Sequence, residues 1–148
     1  MKIEDEIKQQ KFRSPHQKAF VNLLYTTSWL LGNQKEFFKP FNITGQQFNI
    51  LRILRGQHPG SISATEIKGR MLDKNSDVSR LLDRLFAKHL IERRASANDK
   101  RAADITLSDD GIELLNTIDK KQHLLDGILT LSEDDAFLLS DLLDKARG

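Results

Sequence analysis

The chain has 148 residues, of which 30% are charged and 39% hydrophobic, and this composition predicts one folded domain with its own core rather than a disordered segment. No apolar run approaches the roughly 18 residues that a membrane span needs, the first residues lack the apolar centre of a signal peptide, and cysteine is absent, so we expect a cytoplasmic protein without disulfides or thiolate metal sites. The net charge of +2 divides into +5 over residues 1–65, +4 over 66–101 and −7 over 102–148, so the middle of the chain could contact a polyanion whereas its end is unsuited to that role.

The first half of the chain predicts three helices, each with a recognisable start. A serine or threonine that can cap the helix is followed three residues later by glutamine or glutamate, which is the pattern of a capping box. The caps are Ser14, Thr44 and Ser63. They begin helices predicted over about 15–38, 45–55 and 64–71, with Pro40 ending the first and the segment "GQHPGS" ending the second.

A fourth helix is predicted over about 76–89, and only "DKN" separates it from the third, which is the spacing of a helix-turn-helix. Its apolar stripe consists of Val78, Leu81, Leu82, Leu85 and Phe86. The opposite face carries Ser76, Arg80, Asp83, Arg84 and Ala87. Small and polar residues with two arginines suit a helix in a DNA major groove, where Arg80 could bind guanine or phosphate and Ser76 and Ser79 could contact phosphates or bases. An amphipathic surface helix with a solvated charged face has the same pattern.

A β-hairpin is predicted next, because polar and apolar side chains alternate over residues 104–107, as in a half-buried strand. Residues 90–94, on the other side of the basic turn "NDKR", can form its partner strand. Two further helices follow, one from Ser108 to about 125 and one over about 133–145. A hairpin directly after a helix-turn-helix predicts a winged helix-turn-helix, so the fold class is mainly α with a small β-hairpin wing.

The segment "SDVSRLLDRLFAKHLIERRASANDKR" resembles the recognition helix and wing of the MarR (multiple antibiotic resistance regulator) family of bacterial transcription factors. The family's wing signature is Asp-x-Arg, five residues, then Leu-Thr, and the chain has Asp99-Lys100-Arg101, Ala102 to Thr106, then Leu107-Ser108. The resemblance implies a single MarR-type domain in which residues 43–107 form the winged lobe and residues 1–42 and 108–148 form a helical dimerisation region. It also implies a homodimer, although a monomer that packs the many apolar residues of 114–143 internally is the alternative.

The function that follows from this resemblance is a sequence-specific regulator, a homodimeric repressor that binds a pseudo-palindromic operator in double-stranded DNA. The residues expected to contact DNA are Lys68, Lys74, Ser76, Ser79, Arg80, Arg84, Arg93, Arg94, Asp99, Lys100 and Arg101. Arg101 is expected to enter a narrow minor groove while Asp99 holds Arg101 or Arg94, and the alternative is a solvated turn. A winged helix used only for protein docking is the rival function, but it would not need basic residues at the wing tip and on the fourth helix together.

Relatives in this family respond to small phenolic or anionic effectors in a cleft between the dimer region and the DNA-binding lobe. Candidate lining residues for such an effector are Tyr25, Trp29, Phe37, Phe38 and Phe41, and each could equally belong to the core or to a subunit interface. The four histidines, His16, His58, His89 and His123, are scattered without the pairing that a metal site needs, so no metal or other cofactor is expected. No phosphate-binding loop, zinc-protease motif or cysteine nucleophile is present, and we therefore expect no enzyme.

Overall fold

The computed structural model describes residues 1–96 and 102–148, and most of these lie in helices. In chain order the elements are α1 (Ile3–Glu6), α2 (Pro15–Phe38), α3 (Gly45–Gln57), β1 (Ile62–Ser63), α4 (Ala64–Arg70), α5 (Val78–Ala87), β2 (Ile91–Ala95), β3 (Ala103–Leu107), α6 (Asp109–Asp119), α7 (Gln122–Asp126) and α8 (Glu133–Arg147), with a 3₁₀ turn (Lys39–Phe41) between α2 and α3. No helix in the described part of the chain is both long and apolar enough to cross a bilayer.

The three predicted helix caps are confirmed, because each Ser or Thr hydroxyl accepts a hydrogen bond from the backbone N–H three residues later. The Ser14 hydroxyl accepts a hydrogen bond from the Gln17 backbone N–H at 3.1 Å. Thr44 and Gln47 form the full reciprocal box, in which each side chain accepts from the other residue's backbone N–H at 3.1 Å. Helix α2 accordingly begins and ends at the residues that the sequence predicts.

Helix α5 begins later than predicted, because Asp77 rather than an earlier residue caps it. The Asp77 carboxylate accepts from the Arg80 backbone N–H at 3.1 Å. Ser76 lies before the helix, is only 6% exposed, and donates its hydroxyl to the Asp73 carbonyl at 2.8 Å. The placement of Ser76 on the exposed face of this helix is therefore wrong. Phe86 differs in the opposite sense, since it was assigned to the buried stripe and is 50% exposed.

The single helix predicted from Ser108 to about residue 125 is also wrong, because it is interrupted. Helix α6 ends at Asp119, and Lys121 leaves the helical region with its N–H bonded to the Ile118 carbonyl at 2.8 Å. This three-residue spacing tightens the last turn of α6 and allows α7 to begin as a separate helix.

The wing belongs to a three-stranded antiparallel sheet with the order β1-β3-β2. In the central strand Ile105 pairs with Ile62 of β1 on one side and with Arg93 of β2 on the other. The predicted hairpin is confirmed, whereas β1 was not predicted because a strand of two residues is too short to show an alternating pattern.

The core fills the space between the sheet and helices α3 to α6, with the end of α2 added to it. Its fully buried side chains are Phe38, Ile50, Leu51, Leu54, Ile67, Met71, Leu85, Ile105, Leu115 and Ile118. Gly111 in α6 lies so close to the start of β2 that a Cβ atom there would overlap the Leu90 carbonyl oxygen and the Leu107 side chain. Helix α6 therefore packs directly against the base of the wing, which fixes the wing relative to the core.

Candidate nucleic-acid interface

Helices α4 and α5 form the helix-turn-helix, and hydrogen bonds hold the turn between them. Leu72 donates its backbone N–H to the Asn49 side chain of α3 at 2.9 Å. Asp73 accepts from the Asn75 backbone N–H at 2.9 Å through its carboxylate and from the buried Ser76 hydroxyl through its carbonyl. Since these bonds tie the turn to itself and to α3, α5 leaves the turn in one fixed direction.

The outer face of α5 is solvent-exposed and carries two guanidinium groups. Val78, Leu81, Leu82 and Leu85 are buried. The residues between them on the opposite face, Ser79, Arg80, Asp83, Arg84 and Ala87, are exposed. Within residues 1–96 and 102–148 neither Arg80 nor Arg84 has a carboxylate within ion-pair distance. Both charges are therefore available to phosphates or to base edges.

The end of α4 and the following turn add further cationic groups to this side of the lobe. Lys68 is exposed, and the Lys74 ammonium donates to the Gly69 carbonyl at the end of α4. Arg70 was not predicted as a site residue, yet it is exposed in the last turn of α4 with only a 3.8 Å contact to Glu66. Its position one residue before the helix-turn-helix turn is the sequence signal that could have identified it.

The two adjacent arginines of β2 have different surroundings. Arg94 is exposed and lies 3.9 Å from the Glu92 carboxylate, so it is free to reach a phosphate. Arg93 instead donates to the Asp83 carboxylate of α5 at 2.7 Å, and its guanidinium carbon lies 5.1 Å from the centre of the Phe86 ring. The predicted wing-tip contacts of Asp99, Lys100 and Arg101 lie outside the described residues.

The five aromatic residues predicted to line an effector cleft do not lie together. Phe38 is fully buried in the core, where its ring centre is 5.0 Å from that of Phe37 and 4.5 Å from that of Phe48. Phe41 packs on Phe37 at 5.8 Å. Phe38 is thus a core side chain and Phe37 and Phe41 pack half-buried against the core, because the chain folds back on itself at the 3₁₀ turn and brings their rings together.

Tyr25 and Trp29 lie elsewhere, on the exposed flank of α2. They line a shallow groove of about 340 Å³ together with Gly32 and Glu36. The Tyr25 hydroxyl donates to the Glu6 carboxylate of α1 at 2.5 Å. This hydrogen bond holds the proton on the hydroxyl and so raises the pKa of Tyr25 above its ordinary value.

A larger cleft of about 850 Å³ lies between the second half of α2, the start of α3 and the end of α5. Four cationic side chains line it, two from α2 or its end and two from α5 or its end, with Glu36 as the single acid. The cations are Lys35, Lys39, Arg84 and Lys88. Each pair is spaced at i, i+4 in the sequence, and this spacing is the signal that a search for aromatic residues missed.

Lys88 ties the end of α5 to the start of α3 within this cleft. Its ammonium donates to the Asn42 carbonyl at 2.5 Å and to the Gln47 side chain at 3.3 Å. Burial, and then the neighbouring charge of Arg84, lower the pKa of Lys88 below its ordinary value. The cleft therefore combines a fixed lysine with three cations that face solvent.

Residues 43–103 match the family model of the MarR family. Over 111 residues the chain is 30% identical to the transcriptional repressor MprA of Escherichia coli (strain K12), an alignment that covers 74% of this chain and 63% of that repressor. A MarR transcription factor from Planctomyces limnophilus is 28% identical and superimposes with a TM-score of 0.71, covering 90% of this chain and 98% of the other. MepR of S. aureus in its DNA-binding conformation is 25% identical with a TM-score of 0.64, covering 86% of this chain and 95% of the other.

Proposed function

The chain belongs to the MarR family, whose members are transcription regulators and not enzymes, and we propose that it is a homodimeric repressor that binds a specific double-stranded DNA operator. The observation that carries this proposal is the outer face of α5, where Arg80 and Arg84 are exposed directly after a fixed helix-turn-helix turn and form no ion pair with residues 1–96 or 102–148. The similarity to MepR in its DNA-binding conformation supports the same use of this lobe.

In this proposal α5 enters the major groove and the surrounding cations contact the DNA backbone. Arg80 is placed for a bidentate contact with guanine, and Ser79 for a phosphate or base near the start of the helix. The side chains of Lys68, Arg70 and Lys74 at the end of α4, and of Arg94 on β2, would contact phosphates. A winged helix that only docks proteins would have no use for two exposed arginines on this face.

The homodimer is proposed because helices α2 and α8 each expose several large apolar side chains, a pattern that marks an interaction surface. The exposed side chains include Phe20, Leu23, Leu24 and Leu31 on α2, and Phe137, Leu138, Leu139 and Leu142 on α8. Two copies related by a two-fold axis would place their α5 helices about one turn of DNA apart, roughly 10 base pairs centre to centre. The operator would then be pseudo-palindromic.

Release by a small effector is the remaining part of the proposal, and the cationic cleft supports it better than the predicted aromatic residues do. An anion held by Lys39 and Arg84 would bridge α2 and the end of α5, and so bind most tightly to one relative position of the two helices. A carboxylate-bearing aromatic compound fits both the charge and the volume of about 850 Å³. The cytoplasmic location of the protein stays a prediction from its sequence.

Selection of bound sequences from random duplexes, followed by titration against salt, tests the DNA-binding proposal. We expect one selected motif with two half-sites, whose affinity falls by about 10³–10⁵ between 50 and 200 mM salt if on the order of 6–10 phosphates are contacted. Arg80→Ala should cost about 1–3 kcal/mol of binding and relax selectivity at one base pair of each half-site. Arg147→Ala at the far end of α8 is the matched control and should bind as the wild type does. No selected motif, or an affinity almost independent of salt, would favour the docking function instead.

A further inference from the structure

Arg93 of β2 forms an ion pair with a residue of another element of the interface, Asp83 of α5. In the described part of the interface, the other paired arginines, Arg70 and Arg94, contact acids of their own helix or strand. Its Nη2 atom donates to the Asp83 carboxylate of α5 at 2.7 Å. Its guanidinium carbon lies 5.1 Å from the centre of the Phe86 ring, one helical turn further along α5. Its Nε atom is buried, so the inner part of the guanidinium is withdrawn from solvent.

The position of Arg93 in the sheet explains why it reaches α5. Side chains two residues apart in a strand share one face of the sheet, so Arg93 lies on the same face as the buried Ile91. Its backbone pairs with Ile105, which is 1% exposed in the core. Arg94 lies on the opposite face and is exposed. Arg93 therefore runs along the edge of the core onto α5, whereas Arg94 points away from the core.

Asp83 is the acid on the outer face of α5, and its carboxylate accepts a hydrogen bond from Arg93. Its carboxylate is on the same exposed face of α5 as Arg80 and Arg84, where a negative charge repels phosphates. Pairing with Arg93 at 2.7 Å offsets this repulsion and holds the strand against the helix. Phe86 fits the same interpretation, because its half-exposed ring provides the face on which the guanidinium lies.

We propose that Arg93, Asp83 and Phe86 form a clamp that fixes the angle between the wing and α5, and that Arg93 is a positioning residue rather than the phosphate contact predicted from the sequence. The proposal rests on the proposed DNA-binding function. Because β2 pairs with β3 in the hairpin, the clamp fixes both strands relative to α5. Its loss would allow the wing to move relative to α5 and would lower affinity for the operator.

Operator binding by Arg93→Met, Asp83→Asn and the double variant separates the two roles of Arg93. If the clamp exists, each single variant weakens binding by about 5- to 10-fold and the double variant is no weaker than either, since the two residues then act as one unit. The slope of affinity against salt stays at the wild-type value. The opposite result, in which Asp83→Asn binds more tightly and Arg93→Met lowers the salt slope by about one, would identify Arg93 as a phosphate contact and overturn the proposal.

Two further variants sharpen the comparison. Arg93→Lys keeps the positive charge but loses the planar group that stacks on Phe86, so we expect it to bind almost as weakly as Arg93→Met. A phosphate contact would instead be largely restored by lysine. Arg94→Met is the matched control on the other face of β2 and should lower the salt slope by about one, with an effect that adds to that of Asp83→Asn.

Amide hydrogen exchange of the free protein distinguishes failure of the clamp from failure of the proposed function. The amides of β2 should exchange about tenfold faster in each single variant than in the wild type, whether or not DNA binds. The double variant should exchange no faster than either single variant. Unchanged exchange would overturn the clamp even if the wild type binds its operator. Faster exchange in a protein that binds no duplex would leave the clamp in place and refute DNA binding.

Discussion

Among single residues, His89 shows how one backbone conformation joins α5 to the wing. It follows the end of α5 with a φ of 61°, in the left-handed region that favours glycine. Its N–H donates to the Phe86 carbonyl at 3.0 Å and the next N–H, of Leu90, donates to the Leu85 carbonyl at 3.1 Å. These two bonds are the Schellman motif, which turns the chain sharply from the helix into β2.

Replacing His89 with glycine should stabilise the protein, because glycine adopts this conformation without the steric cost that a Cβ atom brings. We expect His89→Gly to raise the free energy of unfolding by about 1 kcal/mol, measured by urea denaturation. The hydrogen bond from the Ser108 hydroxyl to the residue-89 carbonyl, at 2.7 Å, involves only backbone at this position and should persist. His89→Ala is the control and should give no gain. Equal stability of the glycine and alanine variants would show that the left-handed conformation costs nothing here.

At the scale of elements, one ion pair joins the winged lobe to the helices that follow it. Arg55 near the end of α3 donates two hydrogen bonds to the Asp119 carboxylate at the end of α6, at 2.7 and 3.0 Å. The side chains are 36% and 45% exposed, so solvent screens the pair in part. The hydrogen bonds from Arg55 lower the pKa of Asp119 below its ordinary value of 3.8.

We expect Asp119→Asn to lower the free energy of unfolding at neutral pH by up to about 1 kcal/mol, since the pair is bidentate but exposed. Because the folded-state pKa is lowered, the stabilisation is present above the unfolded value of 3.8 and is lost as the pH falls through the folded value. Denaturation of wild type and variant at a series of pH values should therefore converge in acid. Arg55→Met combined with Asp119→Asn should be no less stable than the single variant. A difference that persists in strong acid would assign the loss to another cause.

At the scale of the whole molecule, the charges and apolar surfaces are separated in a way that suits two different contacts. The cationic groups of α4, α5 and β2 lie in the winged lobe, whereas residues 102–148 carry a net charge of −7. Many of the exposed large apolar side chains lie on α2 and α8, outside the core of the lobe. This separation agrees with the proposed DNA contact at one surface and the proposed contact with a second copy at another.

Sedimentation equilibrium in the micromolar range should give one dimeric species, and a charge placed on the apolar face should dissociate it. Phe137 of α8 is 73% exposed in the single chain, and we expect Phe137→Glu to sediment as a monomer at the same concentration because the carboxylate would be buried unpaired. Leu72→Glu is the matched control, since Leu72 is also exposed but lies in the helix-turn-helix turn. A wild-type monomer that still binds its operator tightly would refute the dimer.

Helices α2, α3, α4 and α8, the caps of the first three, and the resemblance to the MarR family could all be predicted from the sequence. These features depend on residues close together in the chain, such as Ser14 with Gln17 or Thr44 with Gln47, so their spacing can be read directly. The wing signature is local in the same sense. The apolar stripe of α5 likewise identified Arg80 and Arg84 as exposed residues, because an amphipathic helix exposes the face opposite its stripe.

Which of the selected side chains are free to bind a partner depends on contacts between elements that are distant in the sequence. Asp83 lies ten residues before Arg93, and Asn42 lies 46 residues before Lys88, yet each pair is joined by a hydrogen bond. The burial of Ser76 and of Phe38 arises in the same way. Such contacts depend on how helices and strands pack in space, and the periodicity of a single element carries no information about the distance to another.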